Sequence, residues 1–165
     1  MADQNSTLTK EILHDLFEYK DGVLYKKPKS NRCRTDIIIG RDNGNGYRRA
    51  SINYKSYYVH RLIFMMFNGY FPKQIDHIDG NRSNNRIENL REANNAQNNW
   101  NKTTTKANTS GRKNVYWHSA AKKWAVEIKV NTVKKYIGIF DDLELADLVA
   151  QEARNKYFGC WANHS

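Results

Sequence analysis

One stretch of eleven residues divides the sequence and limits how the chain can fold. Residues 102–112, KTTTKANTSGR, contain no apolar side chain larger than alanine. A segment of this composition cannot contribute to a hydrophobic core, and its Ser, Thr, Asn and Gly residues favour an exposed connection. The sequence therefore predicts two separately packed parts, residues 1–101 and residues 113–165, joined by a basic linker.

The size and the charge of the chain limit its partners. The 165 residues are 39% hydrophobic and 12% aromatic, which is enough to fill small cores. Lys and Arg number 27 and Asp and Glu number 17, so the formal net charge is +10. A positive surplus of this size attracts polyanions at long range, and nucleic acid is the expected partner.

No feature of the sequence favours a membrane or a secreted location. No uninterrupted apolar run approaches the roughly 18 residues of a membrane span, and no basic amphipathic helix of the membrane type is present. The first ten residues, MADQNSTLTK, are polar and lack the apolar stretch of a secretory signal, so we expect a cytoplasmic protein. Cys33 and Cys160 form no C-x-x-C pair, which argues against a zinc ribbon or a disulfide scaffold.

The first part combines helices with short strands. Apolar residues recur at helical spacing between residues 7 and 19, and Asp21-Gly22 then predicts a turn that ends this helix. The segments GVLYKK, IIIG, YRRASIN and SYYV are rich in β-branched and aromatic residues and predict an antiparallel meander. VHRLIFMMFNGY predicts a helix that ends before Pro72. Its apolar face consists of Val59, Leu62, Ile63, Met66, Phe67 and Tyr70.

In the second part, the sequence predicts a sheet covered by one helix. KNVYWHS, KKWAVEIKV and VKKYIGIF alternate with period two, as three half-buried strands should. The middle strand has Trp124, Val126, Ile128 and Val130 on one face and Lys123, Ala125, Glu127 and Lys129 on the other. A helix over roughly 143–158 has an alanine-rich side that can cover the apolar face. Nine basic residues and one acid fall between positions 102 and 137, so the open face should be basic.

A dense run of asparagines follows an Asp-His pair in the middle of the chain. Nine Asn fall between positions 81 and 101, a density that disfavours regular structure and suits a polar-lined site. Asp76 and His77 precede this run on a short extended segment that ends in the Asp79-Gly80 turn. A carboxylate beside an imidazole suits metal-assisted hydrolysis. Adjacent strand residues point to opposite faces, so the two groups converge on one phosphate only if the strand twists or ends there.

The wider pattern resembles the HNH endonucleases of phages and mobile elements. VHRLI, DHIDGN, N-R-x-E-N-L-R-x-A and Q-N-x-x-N are the similar segments, and the resemblance covers most of residues 10–101. In that family two strands and a helix hold one divalent cation, an arrangement called the ββα-metal fold. The resemblance implies that Asp76 and Asn98 ligate the metal. It also implies that His77 is the general base and that Asn89 holds the catalytic loop in shape.

The third motif position is asparagine here rather than histidine. Its side chain offers a neutral oxygen, so Mg²⁺ or Mn²⁺ is the expected cofactor rather than zinc. An ordinary histidine pKa near 6.5 leaves the imidazole of His77 substantially neutral at physiological pH, able to accept a proton from the attacking water.

Other interpretations of these residues remain open. Asn89 is also compatible with a local turn cap. Asn98 is chosen by the family pattern rather than by spacing, and nearby polar alternatives are Asn94, Asn95, Asn99 and Asn101. His60 and Arg61, within VHRLI, are expected to have a structural or phosphate-contacting role rather than a catalytic one.

Residues 112–160 resemble the ethylene-response-factor, or Apetala-two-like, DNA-binding domain of plants, which also occurs fused to HNH nucleases. The likeness lies in NVYW, KWAVEIKV and KKYIGIF followed by L-x-x-A. In that family the sheet lies in the major groove of DNA. The positions implied for DNA contact are Arg112, Lys113, Tyr116, Glu127, Lys129, Lys134 and Tyr136. Lysine lacks the bidentate fork of arginine, so phosphate contact should matter more here. Trp117 and Trp124 are expected to be buried.

The sequence therefore predicts an α+β protein that cleaves double-stranded DNA. The predicted function is a site-preferring, homing-type HNH endonuclease that hydrolyses phosphodiesters with a histidine base and one divalent cation, in the host cytosol if a phage encodes it. The alternative is a non-catalytic, sequence-specific DNA-binding regulator in which the HNH segment is only a scaffold. An RNA-binding or structural protein is disfavoured because no RNA-recognition motif is found. One active site per chain suggests nicking by a monomer, whereas double-strand cleavage requires a dimer or two successive nicks.

Overall fold

A computed structural model of the chain describes residues 8–28, 37–104 and 108–164. The chain divides into two units, Met1–Ala93 and Asn94–Ser165. Residues 94–101 therefore group with the second unit, although the sequence analysis assigns them to the nuclease part. Three features of the sequence analysis lie outside the described residues: the first seven residues, Cys33, and residues 105–107 of the predicted linker.

A helix and a hairpin begin the first unit. Helix α1 (Lys10–Leu16) leads directly into strand β1 (Phe17–Lys20), which pairs with strand β2 (Val23–Lys26). The helix is predicted to reach residue 19, but it ends at Leu16. Asp21 and Gly22 both adopt positive φ, 47° and 85°, and such Asp-Gly pairs favour a two-residue hairpin. The hairpin requires an extended β1, so the helix ends before it.

Three short strands form a meander, but only YRRASIN and SYYV of the four predicted segments take part in it, because GVLYKK pairs with β1 instead. Strands β3 (Arg41–Asp42), β4 (Arg48–Ile52) and β5 (Lys55–Tyr58) make an antiparallel sheet in that order. The IIIG segment contributes less than expected, because Ile38 forms only an isolated bridge with Tyr25.

Helix α2 (Val59–Asn68) supplies much of the core of the first unit. Its fully buried side chains, together with Leu13 and Leu24, form one hydrophobic cluster; they are Val59, Leu62, Ile63 and Met66. The helix ends at Asn68 rather than just before Pro72 as predicted. Gly69 follows in the left-handed conformation, with φ of 82°, which glycine adopts without a steric penalty. Two members of the predicted apolar face, Phe67 and Tyr70, are exposed.

The asparagine-rich segment is more regular than predicted. Strand β6 (Ile75–His77) pairs antiparallel with strand β7 (Leu90–Glu92), which is preceded by one 3₁₀ turn, and helix α3 (Asn95–Trp100) follows. Asparagine assists rather than prevents this structure at the start of α3. The side chain of Asn94 accepts a hydrogen bond from the backbone N–H of Gln97, and the Gln97 side chain accepts one from the Asn94 N–H. This reciprocal cap satisfies two N–H groups that a short helix leaves unpaired.

The second unit contains the predicted three-stranded sheet and its covering helix. Strands β8 (Val115–His118), β9 (Lys123–Val130) and β10 (Val133–Phe140) pair antiparallel in the order β10-β9-β8. Helix α4 (Leu143–Phe158) follows. The buried side chains of its core are Val115, Val126 and Ile128 from the sheet and Ala146, Ala150 and Ala153 from the helix. The mixture of helices and strands confirms the predicted α+β class.

The prediction that Trp117 is buried is wrong. Trp117 is 46% exposed, whereas its cross-strand partner Trp124 is partly buried against the core, as expected. The two rings meet edge to face with centroids 4.9 Å apart. Because both residues lie next to the turn between β8 and β9, the Trp117 ring covers Trp124 from the solvent side. Within the described part of the chain, no helix is long and apolar enough to cross a membrane.

Candidate active site

His77 is a buried histidine whose orientation is set by Asn85. Its Nε2 lies 3.0 Å from Oδ1 of Asn85, and both side chains are almost inaccessible to solvent. An amide oxygen can only accept a hydrogen bond, so Nε2 carries the proton in neutral His77 and the basic lone pair lies on Nδ1. The hydrogen bond thereby selects one tautomer of the ring.

Two aromatic rings lie beside the His77 ring, and a third stacks on one of them. The ring of His60 lies edge to face with it, at a centroid distance of 5.1 Å, and the ring of Tyr47 lies 6.0 Å away. Tyr58 stacks on His60 in turn, with centroids 5.4 Å apart. Burial, followed by the charges of His77 and Arg61, lowers the pKa of His60 to about 3. The imidazole of His60 is therefore uncharged at physiological pH, and it forms one side of the site.

Burial also lowers the pKa of His77 below its ordinary value. The hydrogen bond with Asn85 and the negative charges of Asp79 and Asp76 oppose that change, and the charge of Arg82 adds to it. The guanidinium of Arg82 lies over the ring of Tyr47, 5.0 Å from its centroid, on the aromatic side of the site. The net result is an imidazole that stays unprotonated at neutral pH.

Asp76 is buried beside an arginine of the neighbouring strand. The antiparallel register places Asp76 opposite Arg91, and both Nε and Nη2 of Arg91 lie 2.9 Å from Oδ2 of the carboxylate. Asp76 therefore contacts a different set of side chains from His77, as the alternation of strand residues predicts. The positive charge compensates a carboxylate that would otherwise be costly to bury.

Asn89 joins the two ends of the loop that follows β6. Its Nδ2 donates to Oδ1 of Asp79 at 2.9 Å and to the backbone oxygen of Asn84 at 2.8 Å, while its Oδ1 accepts from the Asp79 N–H at 3.0 Å. The Asp79 carboxylate also accepts from Nδ2 of Asn84 at 2.7 Å. Burial acts to raise the pKa of Asp79, but these hydrogen bonds outweigh it and the pKa is lowered. Asn89 is thus the centre of a loop-shaping network.

The N-terminal hairpin supports the other end of the same segment. A Cβ added at Gly22 would lie 2.7 Å from the backbone nitrogen of Arg86, so only glycine permits this approach. The hydroxyl of Tyr19 accepts a hydrogen bond from the N–H of Ile87 at 3.0 Å. Asn85, the partner of His77, therefore lies on a backbone that is held from both sides.

Asn98 lies on helix α3, among the residues that group with the second unit. Two of its alternatives have structural roles in that unit. Asn94 caps α3, and buried Asn101 accepts a hydrogen bond from Nδ2 of Asn163 through its backbone oxygen at 2.8 Å.

Five of the seven predicted DNA-contacting residues share the open face of the second unit's sheet. The register aligns Lys134 with Lys129 and Tyr136 with Glu127, and Tyr116 lies on the same face of β8. Nζ of Lys134 forms an ion pair with Glu127 at 2.9 Å.

The other two predicted residues lie elsewhere in the second unit. Nζ of Lys113 donates to the backbone oxygen of Trp100 at 2.8 Å, and the guanidinium of Arg112 lies 3.7 Å from the Asp147 carboxylate. The family resemblance assigns Lys113 and Arg112 to DNA contact; in the structure their side chains contact α3 and α4.

The sequence analysis did not identify Asn85 and Arg91 as site residues. Asn85 is one of several closely spaced asparagines, and no local pattern distinguishes it from Asn81 or Asn84. Arg91 could have been found from the pairing of β6 with β7, because a buried carboxylate requires a positive partner across the strands.

Two comparisons with known proteins found similar sequences. Residues 57–100 match the model of the HNH endonuclease family. The matched segment runs from the end of β5 through α2, β6 and β7 to the end of α3. Protein 3.8 of Escherichia phage T7 is similar to this chain, with 41% identity over 78 residues. That alignment covers 44% of the chain and 64% of the phage protein. No solved structure matches.

Proposed function

We propose that this protein is a metal-dependent DNA endonuclease of the HNH type and that His77 is its general base. The observation that carries the proposal is the hydrogen bond between Nε2 of His77 and Asn85, because it fixes the neutral tautomer with its lone pair on Nδ1. The lowered pKa of His77 keeps that lone pair available at neutral pH. Its match to the HNH endonuclease family supports the same reaction class.

The donors near the site suit a hard divalent cation. No cluster of three or more His, Cys, Asp or Glu side chains occurs among the described residues, as a typical zinc site would require. Mg²⁺ is commonly held by one or two carboxylates together with substrate phosphates, and the carboxylate of Asp76 fits this pattern. When bound, a divalent cation stabilises negative charge on the phosphate and on the leaving 3′ oxygen.

Each residue around the site then has its own role in the proposed cleavage. His77 accepts a proton from the attacking water at Nδ1, and Asn85 holds the ring in place through Nε2. Arg91 fixes the orientation of the Asp76 carboxylate. Asn89 holds the loop after β6 so that Asn85 faces His77. Arg82, on the ring of Tyr47, places a positive charge where the substrate phosphate must approach His77.

The second unit is proposed to bind the DNA. Its open sheet face presents Lys129, Lys134 and two exposed tyrosines, Tyr116 and Tyr136, a composition that suits phosphate contact and stacking against a groove. A three-stranded sheet covered by one helix is also the architecture expected of an ethylene-response-factor-type domain. Site preference of the homing type would come from this face.

One observation favours a second candidate, a non-catalytic DNA-binding regulator. Asp76 already has a buried positive partner in Arg91, so its charge is compensated without a metal. The two functions are distinguished by incubation of the protein with supercoiled plasmid in Mg²⁺ or Mn²⁺. A nuclease converts the plasmid to nicked or linear DNA, loses this activity with a chelator and loses it in His77→Ala. A regulator shifts the plasmid in a gel without converting it.

A further inference from the structure

The second unit contains a pocket beside the open sheet face, with which it shares Lys129. Its volume is about 500 Å³, within the range of roughly 300–1,000 Å³ that is typical of small-molecule sites. It lies between α3, the residues that precede β8 and the turn between β9 and β10. Four asparagines, two lysines and one threonine contribute to its lining, and no carboxylate does.

One wall of the pocket is aromatic. Trp100 of α3 stacks on Phe158 at the end of α4, with ring centroids 4.8 Å apart and an interplanar angle of 12°. Phe158 is buried, and Trp100 is held near it by the hydrogen bond from Nζ of Lys113 to its backbone oxygen. A fixed indole beside amide groups is the kind of surface against which a nucleobase packs.

The positive charges of the pocket are poorly compensated. Burial, followed by the charge of Arg154, lowers the pKa of Lys113 to about 8. Arg154 is itself fully buried, and its Nη1 donates to the backbone oxygen of Lys113 at 2.7 Å. Lys129 lines the same pocket from β9. A bound anion would relieve the repulsion between these cations, because an opposite charge favours the protonated form of lysine.

We infer that this pocket binds the phosphate group of a nucleotide, with Lys113 and Lys129 as its cationic ligands and Trp100 beside the base. Asn99 and Thr132 provide further polar groups around the same space. The nucleotide is either free or the end of a DNA strand, since both present the same phosphate chemistry. Binding at this pocket requires neither His77 nor a divalent cation, so the inference is independent of the proposed cleavage.

Nuclear magnetic resonance of the full chain in the absence of divalent cations tests the inference. Deoxyadenosine monophosphate should shift the signals of Lys113, Asn114, Thr132 and the Trp100 indole in a saturable manner. Deoxyadenosine, which lacks the phosphate, should bind at least tenfold more weakly. Binding of inorganic phosphate and of a 5′-phosphorylated single strand is then compared with binding of the mononucleotide. A strand that binds tenfold better than the mononucleotide identifies a DNA end. Equal binding of the two identifies a free nucleotide.

Three lysine variants complete the test. Lys113→Gln and Lys129→Gln should each weaken binding of deoxyadenosine monophosphate at least fivefold, whereas Lys122→Gln removes the same charge at the opposite end of β9 and should have no effect. Lys129 is exposed, so its variant reports on binding even if Lys113→Gln loses the fold. The inference is overturned if the pocket signals do not shift, if deoxyadenosine binds equally well, or if Lys129→Gln binds like the unaltered protein.

Discussion

Arg91 places both Nε and Nη2 at 2.9 Å from a single oxygen, Oδ2, of the buried carboxylate of Asp76. The side chains of Asp76 and Arg91 are only 8% and 17% exposed, so water screens this pair weakly. The proposed metal ligand is therefore part of the packed interior of the first unit. Its role in stability and its role in catalysis can be separated experimentally.

Removal of Arg91 should destabilise the first unit strongly. Arg91→Gln leaves the Asp76 carboxylate buried without its cation, which typically costs about 3–5 kcal/mol in the free energy of unfolding. Arg86→Gln is the matched control, because its ion pair with Asp21 is 3.7 Å long and largely exposed, and such pairs contribute about 0–1 kcal/mol. Urea denaturation of the two variants provides the comparison. Equal losses of stability would mean that the Asp76–Arg91 pair is not a strong interaction.

Loss of the His77 imidazole should remove cleavage without removing DNA binding. His77→Ala should lower the cleavage rate by roughly 10²–10⁴, the usual contribution of a general base. Plasmid cleavage and gel-shift affinity should be measured on the same preparation, with His118→Ala as a control for the loss of an unrelated histidine. An active His77→Ala protein would exclude His77 as the base.

His60 should make the protein sensitive to acid. The unfolded chain protonates His60 near pH 6.5, whereas the folded protein does so only at about pH 3. The unfolded state therefore binds more protons between these values, and the free energy of unfolding falls as the pH decreases from 6.5 towards 3. Between about pH 7 and about pH 5, His60 should lower the free energy of unfolding by about 2 kcal/mol. His60→Phe should remove this contribution.

The measurement is the pH dependence of urea unfolding for His60→Phe and for His14→Phe, an exposed histidine in α1. If the His60→Phe protein loses as much stability on acidification as the unaltered protein, the buried neutral state of His60 is not the source of the acid sensitivity.

Asn89→Ala should disorder the loop after β6. The substitution removes three hydrogen bonds, to Asp79 and to the backbone of Asn84, and each such bond typically contributes about 0.5–1.5 kcal/mol. Cleavage should fall in a protein that is still folded, because Asn85 no longer faces His77. Asn43→Ala, which removes one exposed turn hydrogen bond, is the control. Normal activity in a folded Asn89→Ala protein would restrict Asn89 to a local turn.

The open sheet face should account for part of the salt dependence of DNA binding. Each phosphate neutralised by a lysine contributes about 0.9 to the slope of log affinity against log salt concentration. Lys134→Gln should therefore reduce the slope by about one unit, and Lys122→Gln, in the turn between β8 and β9, should leave it nearly unchanged. Fluorescence anisotropy with a duplex at several salt concentrations gives the slopes. Identical slopes in the two variants would argue against DNA contact by this face.

Local patterns determined much of this protein from the sequence alone. Period-two alternation predicts β8, β9 and β10, and alanine spacing predicts α4, because both features depend on neighbouring residues of the chain. The motif around Asp76 and His77 predicts an HNH endonuclease domain, and residues 57–100 match the model of that family.

Only the tertiary structure decided which side chains support those of the site. Arg91 lies fifteen residues after Asp76 and meets it only because β6 and β7 pair in one particular register. Asn85, rather than a neighbouring asparagine, contacts His77 because Gly22 and Tyr19 hold the backbone beside it in place. Lys113 precedes a strand whose open face is basic, yet its ammonium contacts Trp100. These relationships depend on how distant segments pack, and no local periodicity encodes them.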